Sequence, residues 1–213
     1  MRDLETRLRN GARRRAFIYT PHMQIAWLDG LRPTDPAAAM TREAIDAHIA
    51  AQHWTVERFA LPELDIAPCA GDFKCWTDHP GTCAIQDANR EIAQAMMRAD
   101  ILLMTTAITF GGYSSELKKA VDHLVQNTSP LFGRVGGETH HVPRYARYPH
   151  LVVVGTIADP DEDSYVTFST LVTRNAINLY APSARSVIVH ETEPPPRVAS
   201  AIAGAFSHVG VAA

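Results

Sequence analysis

The chain is predicted to be an α/β protein with a doubly wound, five-stranded parallel sheet covered by helices on both faces. Two observations carry that prediction. Short apolar runs bounded by turn residues alternate along the chain with segments whose apolar residues recur at helical spacing. Two elaborate loops, 69–83 and 105–118, each lead from a predicted strand into a predicted helix. That puts both at one edge of a parallel sheet, where doubly wound folds build cofactor sites. Strand–helix alternation requires a three-layer arrangement, and right-handed crossovers leave few topologies. Five strands favour the order 2-1-3-4-5.

The first strand is expected at Ala16–Thr20, a short apolar run stopped by Pro21. Residues 21–34 read as an irregular insert. Asp35-Pro36 should open a helix, with the aspartate as N-cap and proline at the first helical position. Met40, Ala44, Ala47 and Ala51 share its apolar stripe, carrying it to about Trp54. Thr55–Ala60 alternates as a second strand. A helix should begin near Asp87, with Ile92, Ala95, Met96 and Ala99 on one face. Ile101–Thr105 is apolar throughout, as a central parallel strand buried on both faces should be. Ser114 is placed to cap a helix bearing Leu117, Val121 and Leu124. Residues 127–149 show little periodicity and read as an irregular excursion. Leu151–Gly155 is a buried strand, 163–180 a helix and Arg185–His190 the fifth strand. A last helix starts near Pro194–Pro196.

Composition narrows the function classes. With 213 residues, 46% hydrophobic and 20% charged, the chain suits one globular domain over 1–213, with 1–14 as a lead-in. A net charge of −3 argues against nucleic-acid binding, which needs clustered basic excess. Arg13-Arg14-Arg15 reads as a solvated approach to the first strand. No apolar run reaches the roughly 20 residues that cross a bilayer, and the N-terminus lacks the apolar segment of a secretory signal. Cys69, Cys75 and Cys83 form no secreted disulfide framework. A soluble cytoplasmic protein is expected.

Several motifs then fall in a recognisable order. They are Cys69-Ala-Gly-Asp72-Phe-Lys-Cys75-Trp76, Pro80-Gly-Thr-Cys83, Asp87, Ala99-Asp100, Thr106-Ala-Ile-Thr-Phe-Gly111 and Ser115-Glu-Leu-Lys118 with Asp122. In this the chain resembles the flavodoxin-like NAD(P)H-dependent FMN reductases, in particular the branch that includes iron–sulfur flavoproteins. The resemblance runs from about Ala16 to Leu124 and is looser beyond. It departs from the family pattern at three places. The family's second cysteine is Asp72, its T-P-x-Y loop reads Thr106-Ala107-Ile108-Thr109, and its G-S-x-R phosphate turn is replaced by Tyr19-Thr20-Pro21-His22.

The resemblance implies FMN, with NAD(P)H as cosubstrate and a small electron acceptor such as a quinone, azo, nitro or free-flavin compound. A homodimer or homotetramer is implied too. The FMN phosphate would sit at the start of the first helix, near Thr20, His22, Arg32 and Thr34, with Asp35 turned away. The ring system would lie over Thr106, Ala107, Ile108, Thr109, Phe110, Gly111 and Tyr113, with Gly155 and Thr156 as a third wall. Phe73, Trp76 and Tyr113 are candidates to stack on it or simply to pack. No side chain is nominated as a catalytic acid or base, because the flavin carries the chemistry.

Three readings of the thiols are open. A cluster would use Cys69, Asp72, Cys75 and Cys83, but three thiolates fall short of the usual four. Zinc with His79 matches no standard spacing. Reduced thiols packed in a loop, or a Cys69–Cys75 disulfide, are favoured. Glu138, His140 and His141 could bind metal or substrate, although a subunit contact rich in Arg144, Tyr145, Arg147 and Tyr148 is favoured there. Two rival functions stay open: a flavin-bearing electron carrier, and a binding module whose phosphate turn has decayed. The 21–34 insert is expected to fold over the flavin as a lid.

Overall fold

Gln24-Ile-Ala-Trp-Leu-Asp29, with four apolar residues at its centre, lies inside the sheet with a strand on each side. In the computed structural model, which describes residues 22–159 and 161–210, strand β1 (Gln24–Asp29) pairs in parallel with β2 (Thr55–Ala60) on one side and β3 (Ile101–Thr109) on the other. Beyond β3 come β7 (His150–Ile157) and β8 (Ala184–His190), so the strand order is β2-β1-β3-β7-β8. This is the predicted 2-1-3-4-5 arrangement.

Helices α1 (Ala38–Gln52) and α6 (Pro195–Gly210) cover one face, where Ile25, Trp27, Ile45, Leu103, Val154, Val198 and Phe206 pack together. Helices α3 (Asn89–Arg98), α4 (Ser115–His123) and α5 (Glu162–Asn178) cover the other, over Ala26, Leu28, Leu102, Met104, Val153 and Phe168. Fully burying each such side chain contributes roughly 1.5–3 kcal/mol. Alternate residues of β1, β3 and β7 therefore feed two separate cores, which is why Ile25–Leu28, Ile101–Met104 and Leu151–Val154 are unbroken apolar runs. Single-turn α2 (Lys74–Thr77) lies within the cysteine loop.

Three expectations are corrected. The strand expected at Ala16–Thr20 lies outside the described residues, and the supposed insert contains β1 itself. Asp29-Gly30 looks like a turn, but Asp29 is a fully buried strand residue. Asp35 does not cap the helix, which begins only at Ala38 after Ala37 in the left-handed region. The 127–149 excursion is a β-hairpin, β5 (Thr128–Val135) with β6 (Glu138–Pro143), closed by Gly136 (φ 57°) and Gly137 (φ 89°). Positive φ at both central residues is the two-residue hairpin turn whose twist suits antiparallel strands.

Strand β3 also runs farther than predicted. Past its last pairing with β7, at Ala107 opposite Thr156, it continues to Thr109 and doubles back as β4 (Gly112–Tyr113). Asp87 anchors the other predicted loop, accepting the Asn89 and Ala67 amides, each at 3.0 Å.

Candidate active site

Parallel strands deliver their carboxyl ends to one edge, and three segments meet there: 30–37 after β1, the end of β3 with its turn into β4 over 107–113, and residues 158–159 after β7. Beneath them is a buried polar layer that the sequence did not reveal. Asp29, with a side chain wholly out of solvent, accepts from Thr105 Oγ1 at 2.7 Å, from Arg42 Nε at 2.8 Å and from the Arg58 guanidinium. Trp27 Nε1 donates to Thr105 Oγ1 at 3.1 Å, and the Arg58 guanidinium lies over the Trp27 ring at 4.2 Å. Burial pushes the Asp29 carboxyl up. The hydrogen bonds from Arg42, Thr105 and Arg58 outweigh that and hold it below the usual carboxylate range.

The loop after β1 is closed by its own groups. Gly30 N donates to Thr105 O at 2.8 Å, Leu31 N to Asp29 Oδ1 at 3.2 Å, and Arg32 N to Asp35 Oδ2 at 2.7 Å. Asp35 N donates to Arg32 O at 3.1 Å and Ala38 N to Asp35 O at 3.2 Å. Arg42 Nη2 donates to Leu31 O, and the Arg32 side chain to Glu116 Oε1, both at 2.5 Å. Asp35 thus turns into the loop, not away from it. Pro33 and Pro36 carry no amide hydrogen at all.

The loop after β3 is different. Phe110 (φ 50°) and Gly111 (φ 73°) both adopt positive φ at the tip of the β3–β4 turn. For phenylalanine that conformation costs on the order of 1–3 kcal/mol and is seen where something else demands it. Its ring is fully exposed. Gly111 has to be glycine on a second count, since a Cβ there would stand 2.8 Å from Thr167 Cβ. At Gly112 a Cβ would meet only Thr109 O at 3.6 Å, which leaves open space over the main chain. Gly155 brings β7 close: a Cβ would lie 2.7 Å from Phe168 Cζ and 2.8 Å from Ile108 Cδ1. Thr156 Oγ1 is buried with no hydrogen-bond partner among the described residues.

Of the predicted residues, Thr106, Ala107, Ile108, Thr109, Phe110, Gly111, Tyr113, Gly155 and Thr156 are brought to this edge. Thr34 joins them, exposed in the loop after β1. The Thr106 hydroxyl is already occupied, accepting Ser114 N at 2.9 Å and meeting Ser114 Oγ at 3.1 Å, so it fixes the start of α4. Tyr113 points inward. Its phenol receives Asn175 Nδ2 at 3.2 Å, and burial pushes its pKa up to about 12. His22 is a correction: it precedes β1, at the opposite end of that strand. Thr20 lies outside the described residues.

The thiols line a separate small cavity of about 40 Å³ together with Asp72 and His123. His123 Nε2 sits 3.0 Å from the Ala67 carbonyl, which can only accept, so Nδ1 is the acceptor facing Cys83 Sγ at 3.4 Å. Burial, then the neighbouring thiols, push the Cys75 thiol up. All three cysteines are free. Among the described residues no group of three His, Cys, Asp or Glu side chains is arranged to hold a metal ion. Three thiols around so small a space do not fit a four-thiolate iron–sulfur cluster. Trp76 stacks on Phe73 (5.2 Å) and His141 (4.5 Å), and so packs within the loop and hairpin. His140 spends both ring nitrogens, on Asn178 and Glu138, each at 3.0 Å.

A five-stranded sheet in this order, with its loops gathered at one edge, defines a flavodoxin-like α/β protein. A profile of the NADPH-dependent FMN reductase family matches residues 32–157. The chain belongs to the NADPH-dependent FMN reductase family. An iron–sulfur flavoprotein of Methanocaldococcus jannaschii is 33% identical over 91 residues, covering 43% of this chain and 46% of that protein. The chain therefore spans about half the length of that relative. Solved structures share the fold at low identity. An NAD(P)H:quinone oxidoreductase from Methanothermobacter marburgensis superposes with TM-score 0.63 at 12% identity, over 89% of this chain and 96% of that one. An NADH:FMN oxidoreductase in its apo form gives 0.59 at 15%, over 89% of each. An azoreductase from Bacillus anthracis gives 0.56 at 13%, over 88% and 97%. Among the described residues no helix is long and apolar enough to cross a membrane.

Proposed function

We propose that the chain passes electrons from NAD(P)H through bound FMN to a small acceptor of the quinone, azo, nitro or free-flavin class. The observation that carries this reading is the family match over 32–157, which spans the carboxyl ends of β3 and β7 and most of the loop after β1. Bound flavin would supply hydride acceptance at its N5 and onward electron transfer.

The chain's own part is positioning. The main chain at Gly112 offers a dipole to the polar rim of a planar ring, with no side chain there to hold it off. Phe110 presents a free aromatic face at the mouth, suited to stacking on the ring or on an aromatic acceptor. Gly155 lets Ile108 and Phe168 close the floor beneath. Two buried groups near this edge are not available as general acid or base: Tyr113 keeps its proton at any physiological pH, and Asp29 is locked between two arginines. Proton exchange is left to solvent.

On this reading the chain acts as one cytoplasmic catalytic domain and assembles as a homodimer or homotetramer. The exposed Phe73, Leu131 and Phe132 are apolar surface available for that. Light scattering should then give twice or four times the 23.4 kDa chain mass. The test of function is steady-state oxidation of NADPH with added FMN and a quinone. Flavin-dependent turnover is expected; no turnover at any flavin concentration, with the fold intact, would leave the binding-module alternative. Reduction of bound flavin by dithionite but not by NAD(P)H would favour the electron carrier.

A further inference from the structure

We infer that Cys83 is a nucleophilic thiol with His123 as its base, and that the small cavity beside it is a site where hydrogen peroxide is reduced by protein thiols. The inference is independent of the flavin reading above. It rests on the side chains gathered between the cysteine loop and the end of α4.

A sulfur attacks best when a base stands ready for its proton and a third group holds that base in place. Cys83 has both. His123 is buried, its Nε2 donates to the Ala67 carbonyl at 3.0 Å, and its Nδ1 lone pair faces Cys83 Sγ at 3.4 Å. Burial, and then the neighbouring Cys69, Asp87 and Asp72, push the Cys83 thiol up, while the Ile85 main-chain N–H works the other way by favouring charge on the sulfur. The proton therefore stays on sulfur at rest and passes to His123 as the sulfur attacks. Of the three thiols, Cys83 is the one paired with an imidazole among the described residues.

The cavity selects its substrate by size. A water needs roughly 10–15 Å³ of such space, so a cavity of about 40 Å³ admits hydrogen peroxide and excludes a flavin or a quinone. Cys69 and Cys75 line the same space, so a second thiol is at hand. In the first step the thiol proton moves to His123 Nδ1, an S–O bond forms at Cys83 and the O–O bond breaks. The departing hydroxide takes that proton and leaves as water, and Cys83 becomes a sulfenic acid. In the second step a neighbouring thiol sulfur displaces that oxygen. The S–O bond breaks, an S–S bond forms, and the oxygen leaves as a second water with the attacking thiol's proton. Two sulfurs are oxidised by two electrons in all, and one peroxide is reduced.

The experiment treats the full chain, reduced and then freed of reductant and NAD(P)H, with hydrogen peroxide in the presence of dimedone, a trap for sulfenic acids. Remaining thiols are alkylated with iodoacetamide at timed intervals. Trypsin leaves Cys75 and Cys83 on peptide 75–90 and Cys69 on peptide 59–74, and fragmentation in the mass spectrometer assigns each site. Dimedone on Cys83, or a disulfide that includes Cys83, is expected. Dimedone on Cys69 or Cys75 instead, a Cys69–Cys75 disulfide, or Cys83 still free to alkylate would overturn the inference. His123→Gln keeps a donor for the Ala67 carbonyl and removes the base, and should slow the oxidation of Cys83 by roughly tenfold or more. Alkylation of the exposed Cys69 without peroxide should keep its rate. An unchanged Cys83 rate in a variant that melts like the parent would remove His123 from the scheme and overturn it. If circular dichroism shows that variant unfolded, the site of oxidation in the unaltered chain decides.

Discussion

Two loops leave the same edge of the same sheet, after β1 and after β3, and they are built on opposite principles. The 30–37 loop is tied down by polar groups: the Leu31 and Arg32 amides end on the carboxylates of Asp29 and Asp35, the Gly30 and Asp35 amides on carbonyls, and Arg32 pairs with Glu116. The 107–113 loop does the reverse. It places an aromatic residue in a costly backbone conformation, leaves that ring in solvent, and uses glycine where space over the main chain is wanted. Self-satisfied polar groups stabilise a fold, whereas unsatisfied apolar surface and backbone strain are what a ligand can relieve. Binding energy at this edge is therefore assigned to the second loop and rigidity to the first.

The largest effect should come from breaking the rigid loop. Asp29→Ala leaves Arg42 and Arg58 without their buried counter-charge, and a loss of about 3–5 kcal/mol is expected in urea unfolding. The same carboxylate sets an acid limit. Its pKa is depressed in the fold, so its stabilisation is complete above the unfolded value of about 3.9 and is lost as pH falls through the lower folded value. Stability should drop steeply below about pH 4 in the unaltered protein, and Asp29→Asn should flatten that limb.

Next in size is the floor beneath the second loop. Gly155→Ala sets a methyl against Phe168 and Ile108 at under 3 Å, with an expected cost of about 1–3 kcal/mol from overpacking. Pairing it with Ile108→Val should recover part of that in the melting temperature; no recovery would mean that Phe168 alone bears the clash.

The smallest change in stability sharpens the comparison most. Phe110→Gly removes the strained backbone choice, so stability should hold or rise by up to about 1 kcal/mol. Flavin or acceptor affinity should nevertheless weaken by roughly two- to tenfold, the worth of one aromatic stacking contact. Equal affinity in the variant would make the exposed ring mere surface.

The sequence disclosed the α/β class, the strand order and most elements because apolar runs and helical stripes are local signals. β2, β3, β7 and β8 are legible for that reason. β1 at Gln24–Asp29 is hard to read because Pro21 before it and the Asp29-Gly30 pair at its end are turn signals around an apolar core of only four residues, Ile25–Leu28. The hairpin was legible in principle: Gly136-Gly137 between Phe132–Val135 and Glu138–Val142 is a two-residue turn signal.

The Thr106–Tyr113 and Gly155–Thr156 residues came from family resemblance and do gather at one edge. The Asp29–Arg42–Arg58 layer could not be read, because its members are joined across 13 and 29 positions and only the fold brings them together. His123 was missed beside the thiols for the same reason: it reaches Cys83 across 40 positions.

The account stands most directly on where a flavin docks. Amide chemical shifts of the isotope-labelled chain, followed as FMN is added, should move most at Thr106–Tyr113 and Gly155–Thr156 and little within Leu31–Ala37. Shifts concentrated instead around the cavity of about 440 Å³ that Cys69, His141, Asn175 and Asn178 line beneath the hairpin would contradict it.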